Sequence, residues 1–335
     1  MSWIYVYHRL PFGSTLNKPI AISCRGAKMV QVAIAGGTGD VGRTIVEIIK
    51  DNPRHEAVIL TRKPIGDVFG VPSLVVDYTN VNSLREILEE HKIHTVLCAI
   101  GYEGDAPGVS QLNLIKAAET SVATVRFVPS AFACVYTSEM AETFPPLRGY
   151  IRAIEELRKS SLKWTSFLNG YFMDYFAPGK IKSYLRPFPT VIDIEHRVAA
   201  IPGNGDVPIT FTYSFDAARL VVSSLDLEEW PEESRMAGDI LTWNELVSLA
   251  EELLGSEFEV HHDDIEKLKR SEVTELPVHS IVYKQMPKSE AQAMSAAFSL
   301  WAQDANIMHI PGELNTKFPD IHPLTMRGLV EKYRQ

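Results

Sequence analysis

The chain holds only three cysteines, Cys24, Cys98 and Cys134, in 335 residues. Their spacing fits neither a zinc site nor a disulfide framework, which points to a reducing compartment, the cytoplasm. No apolar run is long enough to span a bilayer. Excess cations are missing too: 33 Lys and Arg stand against 42 Asp and Glu, a formal net charge of -9. That balance argues against a nucleic-acid surface, which needs clustered cations, while leaving room for a local basic pocket. The histidines show no metal spacing. The run His261-His262-Asp263-Asp264 reads as a solvated strand end, because adjacent strand side chains point to opposite faces. Acids are absent from the start of the chain: none precedes Asp40, although Arg9, Lys18, Arg25 and Lys28 do. Residues 1–28 thus have the composition of a mitochondrial transit peptide, without a clear amphipathic helix. The favoured reading is a dispensable extension, since Met29 stands just before the first strand.

What the chain does have is an apolar strand running into a glycine turn, Val32-Ala33-Ile34-Ala35-Gly36-Gly37-Thr38-Gly39-Asp40-Val41-Gly42. After it, Val41, Ile45, Ile48 and Ile49 mark one face of a helix. A strand, a glycine turn and a helix N-terminus make an anion cradle. Glycine lets the backbone come close to a pyrophosphate, while free N–H groups and the positive helix end face its charge. Residues 36–42 are therefore read as the binding site of a nicotinamide dinucleotide.

From Val30 to Phe176 strand-like and helix-like segments alternate, with strands expected at 30–35, 57–61, 74–77, 95–100, 124–128 and 164–168. Helices are expected to start near Val41, Ser83, Ser110 and Arg148. This rhythm predicts an α/β fold, a Rossmann-type doubly wound parallel sheet with helices on both faces. After Phe176, prolines at 178, 187, 189, 202 and 208 break the chain into short pieces. Helices resume at Ser214–Asp226, at Thr242–Leu254 with a Thr242/Glu245 capping box, and near 289–303. In the last of these, Met294, Ala297, Phe298 and Trp301 read as core or pocket wall. The acidic run 226–233 reads as a solvated loop. The organisation expected is an extension at 1–28, a nucleotide-binding domain at 29–176, and a smaller α+β substrate-binding part at 177–335, with the chain crossing between them.

Cofactor choice is set at the tip of the second strand. An acid there suits the ribose of NAD, and a cation suits the 2′-phosphate of NADP. Here Ala57-Val58-Ile59-Leu60 leads into Thr61-Arg62-Lys63-Pro64, and Arg62 lies twenty residues past Gly42. A guanidinium fork matches a phosphate and Lys63 adds a point charge, so NADPH is the expected cofactor. Asp77, ending the third strand, either approaches the adenine or caps its own loop.

These segments resemble the NmrA-like and isoflavone reductase-like branch of the atypical short-chain dehydrogenases. The likeness runs through Leu60-Thr61-Arg62-Lys63-Pro64, Phe127-Val128-Pro129-Ser130-Ala131-Phe132, Ile151-Arg152-Ala153-Ile154-Glu155, Trp164-Thr165-Ser166-Phe167-Leu168-Asn169-Gly170, Ile201-Pro202-Gly203-Asn204-Gly205 and Phe318-Pro319-Asp320-Ile321. It covers nearly everything after Met29, and the phrase around Trp164–Phe176 looks most like fungal members, many of them from secondary-metabolite pathways. The resemblance implies a Rossmann domain, a small substrate domain and NADPH. It also implies a catalytic lysine shortly before the Ile151–Glu155 helix. An ungapped match puts that lysine on Leu147, beside Arg148, and neither side chain can do its work. The Tyr-x-x-x-Lys pair of ordinary short-chain dehydrogenases is missing as well: Tyr150 is followed by Ile154 and Tyr175 by Gly179.

Hydride transfer leaves an oxyanion that must be protonated or stabilised. The groups expected at the carboxyl ends of the strands are Tyr102, Ser130, Tyr150, Asn169 and Tyr171, with Phe132, Phe172 and Phe176 as an aromatic lining. Tyr150 and Ser130 are the best catalytic candidates, with Arg148 or Arg152 as cations able to lower the pKa of Tyr150. Tyr102, Phe132, Asn169, Tyr171 and Phe172 are read as the substrate pocket. The tyrosines are otherwise simply aromatic lining. Two functions stay open: an NADPH-dependent reductase of a small oxygenated metabolite, or a non-catalytic NADP(H) sensor that binds a protein partner.

Overall fold

The computed structural model describes residues 29–101 and 108–334. The opening extension, and Tyr102 with it, lie outside the described residues.

Strand β1 (Val30–Ala35) is buried along nearly its whole length, as a strand covered on both faces must be. It pairs in parallel with β2 (His55–Thr61) on one side and β4 (Thr95–Cys98) on the other. With β3 (Ser73–Val75), β5 (Arg126–Val128) and β6 (Lys163–Trp164) they form a six-stranded sheet in the order β3-β2-β1-β4-β5-β6. All of its pairings are parallel. The strand order reverses between β1 and β4, and ligands of such sheets bind in the crevice beyond the strand ends there.

The two-residue period of the strands divides the core. Ala33, Ala35, Val58, Leu60, Val96 and Phe127 face helices α2 (Val81–Glu90), α3 (Ser110–Thr120) and, beyond the short α4 (Ser138–Thr143), α5 (Leu147–Lys159). Val32, Ile34, Ile59, Leu97 and Val128 face the other way, onto Ile45, Val46 and Ile49 of α1 (Asp40–Ile49). Beside α1, on that same face, lies α6 (Ser214–Ser224), a helix from the second half of the chain, through Ala217, Ala218, Leu220 and Val221.

The strand expected at 164–168 is in fact two. Trp164 ends the sheet edge, and Ser166–Leu168 (β7) turns away to pair with β12 (Glu233–Arg235). An apolar run reports burial and says nothing of which neighbour a strand will choose. The fourth strand is shorter than expected as well: after Cys98, Ala99 donates one more bond to Ala35 and the chain leaves the sheet.

Beyond Leu168, short strands form two small sheets. One joins β8 (Tyr171–Phe172), β11 (Ile209–Thr212) and β13 (Asp239–Leu241); the other joins β9 (Ile192–Asp193), β10 (Val198–Pro202) and β14 (Glu259–Asp263). Helix α7 (Trp243–Leu254) starts with the expected capping box: Glu245 N–H donates to Thr242 Oγ1 at 3.1 Å and Thr242 N–H to Glu245 Oε2 at 2.8 Å. Tyr171, Phe176, Phe211 and Trp243 pack edge to face into one aromatic core. Met294, Ala297 and Trp301, buried, join it with the partly buried Phe298.

Candidate cofactor and substrate cleft

A cleft of about 730 Å³ opens at the carboxyl end of the sheet, where the strand order reverses. Gly36 stands at φ +81°, and a Cβ there would lie 2.5 Å from the Ala99 carbonyl oxygen. A Cβ on Gly42 would lie 2.2 Å from the Gly36 oxygen, so the turn closes tightly on the first turn of α1 only without side chains. Gly37 sits behind the turn against Ile59 and Val46. Gly39 differs from its neighbours. It lines the cleft as N-cap of α1 in extended geometry, its Cβ would make only an ordinary 3.5 Å contact, and it brings no capping side chain. Nothing inside the protein demands glycine there, and the bare helix end leaves its backbone open to the cleft. Thr38, Asp40 and Val41 complete this lip.

Arg62 and Lys63 line the next stretch of wall at the end of β2. Their turn is pinned by Thr61, whose side chain contacts the Lys63 carbonyl and accepts from Lys63 N–H at 3.0 Å. Asp77 does not join them. Its carboxylate accepts from Thr79 N–H at 2.8 Å and Thr79 Oγ1 at 2.6 Å, contacts that hold its pKa below the usual carboxylate range. It is a loop cap, and its neighbour Tyr78 lines the cleft instead, its buried hydroxyl donating to the Leu60 carbonyl at 3.1 Å.

At the far end Ser130 and Tyr150 meet. Ser130 Oγ donates to the Ile100 carbonyl at 2.8 Å, and the Tyr150 hydroxyl reaches the same oxygen at 3.3 Å. Ser130 N–H donates to Oε1 of the buried Gln111 at 2.7 Å, which fixes the start of the loop after β5. Phe132, Tyr136, Phe172 and Tyr175 wall this end. Phe132 stacks on Phe167, Tyr136 leans on Tyr150, and Tyr175 packs against Phe172 and Phe188. Beneath the cleft, burial pushes the Cys98 thiol up to about 12, which keeps it a neutral thiol.

The structure corrects three expectations here. Asn169 and Tyr171 do not line the cleft. Asn169 is wholly buried, with Nδ2 donating to the Gly170 carbonyl at 2.9 Å, and its backbone is tied to Ala133 and Thr212. Tyr171 lies in the aromatic core, where burial drives its hydroxyl pKa far above the ordinary value. Arg148 and Arg152 do not attend Tyr150: residues two apart on a helix face different ways, and both arginines are exposed while Tyr150 is buried. Leu147, at the position matched to the family lysine, packs into the core.

One cleft residue gave no sequence signal. Arg186 arrives from the irregular, proline-broken segment after Phe176, and its Nε donates to Asp40 Oδ2 at 2.9 Å. Tyr78 was within reach of the sequence, as the residue next to Asp77 with the opposite burial; Arg186 obeys no period at all.

Comparison with known proteins agrees with this arrangement. The NmrA-like family model matches residues 28–321. The chain belongs to the NmrA-like family. It is 33% identical over 299 residues to the oxidoreductase BOA1 of Botryotinia fuckeliana, a match covering 88% of this chain and 96% of that protein. It is 25% identical over 327 residues to the isoflavone reductase homolog A622-like of Nicotiana tabacum, covering 90% and 96%. Among solved structures, the complex of leucoanthocyanidin reductase with NADPH from Vitis vinifera superposes with a TM-score of 0.67. That likeness spans 90% of this chain and 99% of that one at 18% identity, and it establishes the Rossmann-type fold.

Proposed function

We propose that the protein transfers hydride from NADPH to a small, oxygenated, largely apolar metabolite, in the cytoplasm and within fungal secondary metabolism. The chain is an NAD(P)H-dependent oxidoreductase, as relatives such as the oxidoreductase BOA1 indicate. The observation that carries the finer reading is the layout of the cleft. It runs from an uncapped helix end and the Arg62/Lys63 pair to two hydroxyls walled by aromatic rings. The cationic end fits an adenosine 2′-phosphate, the helix end a pyrophosphate, and the aromatic end an apolar substrate.

When bound, NADPH supplies the hydride. The chain itself must then supply a proton to the substrate oxygen. The Tyr150 hydroxyl, which reaches the Ile100 carbonyl at 3.3 Å on the wall of the cleft, is the group best suited to give that proton. Ser130, held to the same carbonyl at 2.8 Å, keeps its place in the wall beside it. Carbonyl, hydride and the Tyr150 proton give the alcohol, and the phenolate is reprotonated from water.

The test uses NADPH deuterated at the transferable position. Purified protein is incubated with it and a small-molecule extract of the source organism, and enzyme-dependent deuterium is sought by mass spectrometry. A labelled metabolite is expected. Absence of label from an extract in which the protein demonstrably binds NADPH would turn the reading toward the sensor. The buried Leu147, where the family places its lysine, favours that second reading.

A further inference from the structure

The turn between β9 and β10 carries a histidine whose ring is fixed on one side only. His196 Nδ1 donates to Oδ2 of Asp193 at 2.9 Å, and its backbone N–H donates to the other oxygen of that carboxylate at 3.1 Å. The Asp193 side chain is 1% exposed against 56% for His196, and it also accepts from Val278 N–H at 2.8 Å. The turn around the pair is braced. Arg197 stands at φ +59°, a conformation that favours glycine, and its guanidinium donates to the Ile194 and Glu195 carbonyls at 2.7 Å and to Ser256 Oγ at 3.1 Å. A carboxylate on Nδ1 sets the tautomer: the proton sits there, and the neutral ring offers Nε2 as an acceptor. Among the described residues no hydrogen bond or ion pair takes Nε2.

His196 lines a cavity of about 330 Å³ on the far side of Tyr175, the ring that also walls the substrate end of the cleft. The cavity walls are apolar, built from Phe176, Ile192, Ile194, Val278 and Ile281. Other polar groups at its edge are matched to protein partners. Lys180 pairs with Glu195 at 3.3 Å, and the Tyr333 hydroxyl donates to the Phe176 carbonyl at 2.6 Å. His196 Nε2 is left as an acceptor in largely apolar surroundings.

We infer that this cavity binds a small apolar molecule bearing a hydroxyl group, which donates its hydrogen bond to His196 Nε2. Apolar walls favour an apolar body, and the buried carboxylate behind the ring makes Nε2 a better acceptor. A carboxylate ligand would set its lone pairs against that of Nε2. An ammonium would have to shed its water against apolar walls.

The experiment is a fluorescence titration with two probes of similar shape: 2-naphthol, which can donate, and 2-methoxynaphthalene, which cannot. It is run at about pH 8, above the ordinary histidine range. The wild-type protein is expected to hold the naphthol about threefold to tenfold more tightly. His196→Phe keeps a ring without the acceptor and should bind the two alike, whereas mere loosening of the cavity would weaken both and keep their ratio. The His196 side chain is more than half exposed, so this variant should unfold like wild type. Ile281→Arg fills the cavity from its wall and should abolish binding of both probes. Equal wild-type affinities, a ratio unchanged in His196→Phe, or binding undiminished in Ile281→Arg would overturn the assignment. The cavity is assigned independently of the reductase reading. Its natural occupant is a separate molecule or a far arm of the metabolite reduced in the cleft. Displacement of 2-naphthol by the deuterium-labelled product would assign the arm, and binding of both together the separate molecule; either result upholds the site.

Discussion

Ser130 and Tyr150 share a single acceptor, the carbonyl oxygen of Ile100, reached at 2.8 Å and 3.3 Å. The two hydroxyls come from different elements, the loop after β5 and the start of α5, and tertiary packing brings them together. A phenol is a stronger acid than an alcohol, and Tyr150 is therefore the group assigned to give the proton. Tyr150→Phe should lower kcat by roughly a hundredfold or more and leave NADPH affinity as it was. Tyr171→Phe, removing a hydroxyl that belongs to the core, should leave both within about twofold. Equal losses in the two variants would mean that Tyr150 serves packing only.

The tip of β2 makes a separate prediction about cofactor choice. Arg62→Glu places a carboxylate where a 2′-phosphate would bind, and it should weaken NADPH by at least about a hundredfold while affecting NADH little. Full retention of NADPH affinity, measured by titration, would show that the 2′-phosphate sits elsewhere.

Gly39 and Gly42 separate binding from folding. Gly42→Ala forces a Cβ into the Gly36 carbonyl and should cost about 1–3 kcal/mol of stability, read by denaturant unfolding. At Gly39 the same change meets only an ordinary contact. Gly39→Ala should unfold like wild type and bind NADPH less tightly. A Gly39→Ala protein with undiminished affinity would mean that no ligand approaches that helix end.

Stability should fall as the solution turns mildly acidic, and His279 is one cause. Its ring is buried, with Nε2 donating to the Thr190 carbonyl at 2.7 Å and Nδ1 accepting from Leu276 N–H at 3.3 Å. Burial lowers its pKa below the ordinary 6.5. The unfolded chain therefore takes up a proton first as pH drops, so the stabilisation is complete above 6.5 and is lost progressively below it, toward the folded value. His279→Gln should flatten the dependence of melting temperature on pH below 6.5. An unaltered slope would assign the effect to His55, whose burial shifts it in the same direction.

The sheet was legible because its strands, buried on both faces, read as apolar runs between helical segments, and the glycine turn because only that residue fits Gly36 and Gly42. Arg62, Lys63, Ser130 and Tyr150 were legible for a related reason: they stand at fixed offsets from strands or at a helix start. The errors came where position does not fix direction. Asn169 and Tyr171 follow a strand as expected, but β7 has already left the sheet, and the chain after it runs through the core. Asp77 was placed correctly and turned toward its own loop. Arg186 lies in a segment with no period, placed by tertiary contacts that no local pattern records.

The packing of α6 against α1 decides how the chain can be divided. A cut at the expected boundary near Phe176 would strip α1 of part of its cover: Ile45, Val46 and Ile49, seated on the sheet, share one buried cluster with Ala217, Ala218, Leu220 and Val221, which arrive only with residues 214–224. Synthesis of the first 176 residues alone would leave that face open, at roughly 1.5–3 kcal/mol for each large side chain left in water. The helix whose N-terminus forms the phosphate lip would then be the first element to lose its support. Trading one substrate half for another between family members would thus carry a piece of the cofactor site with it.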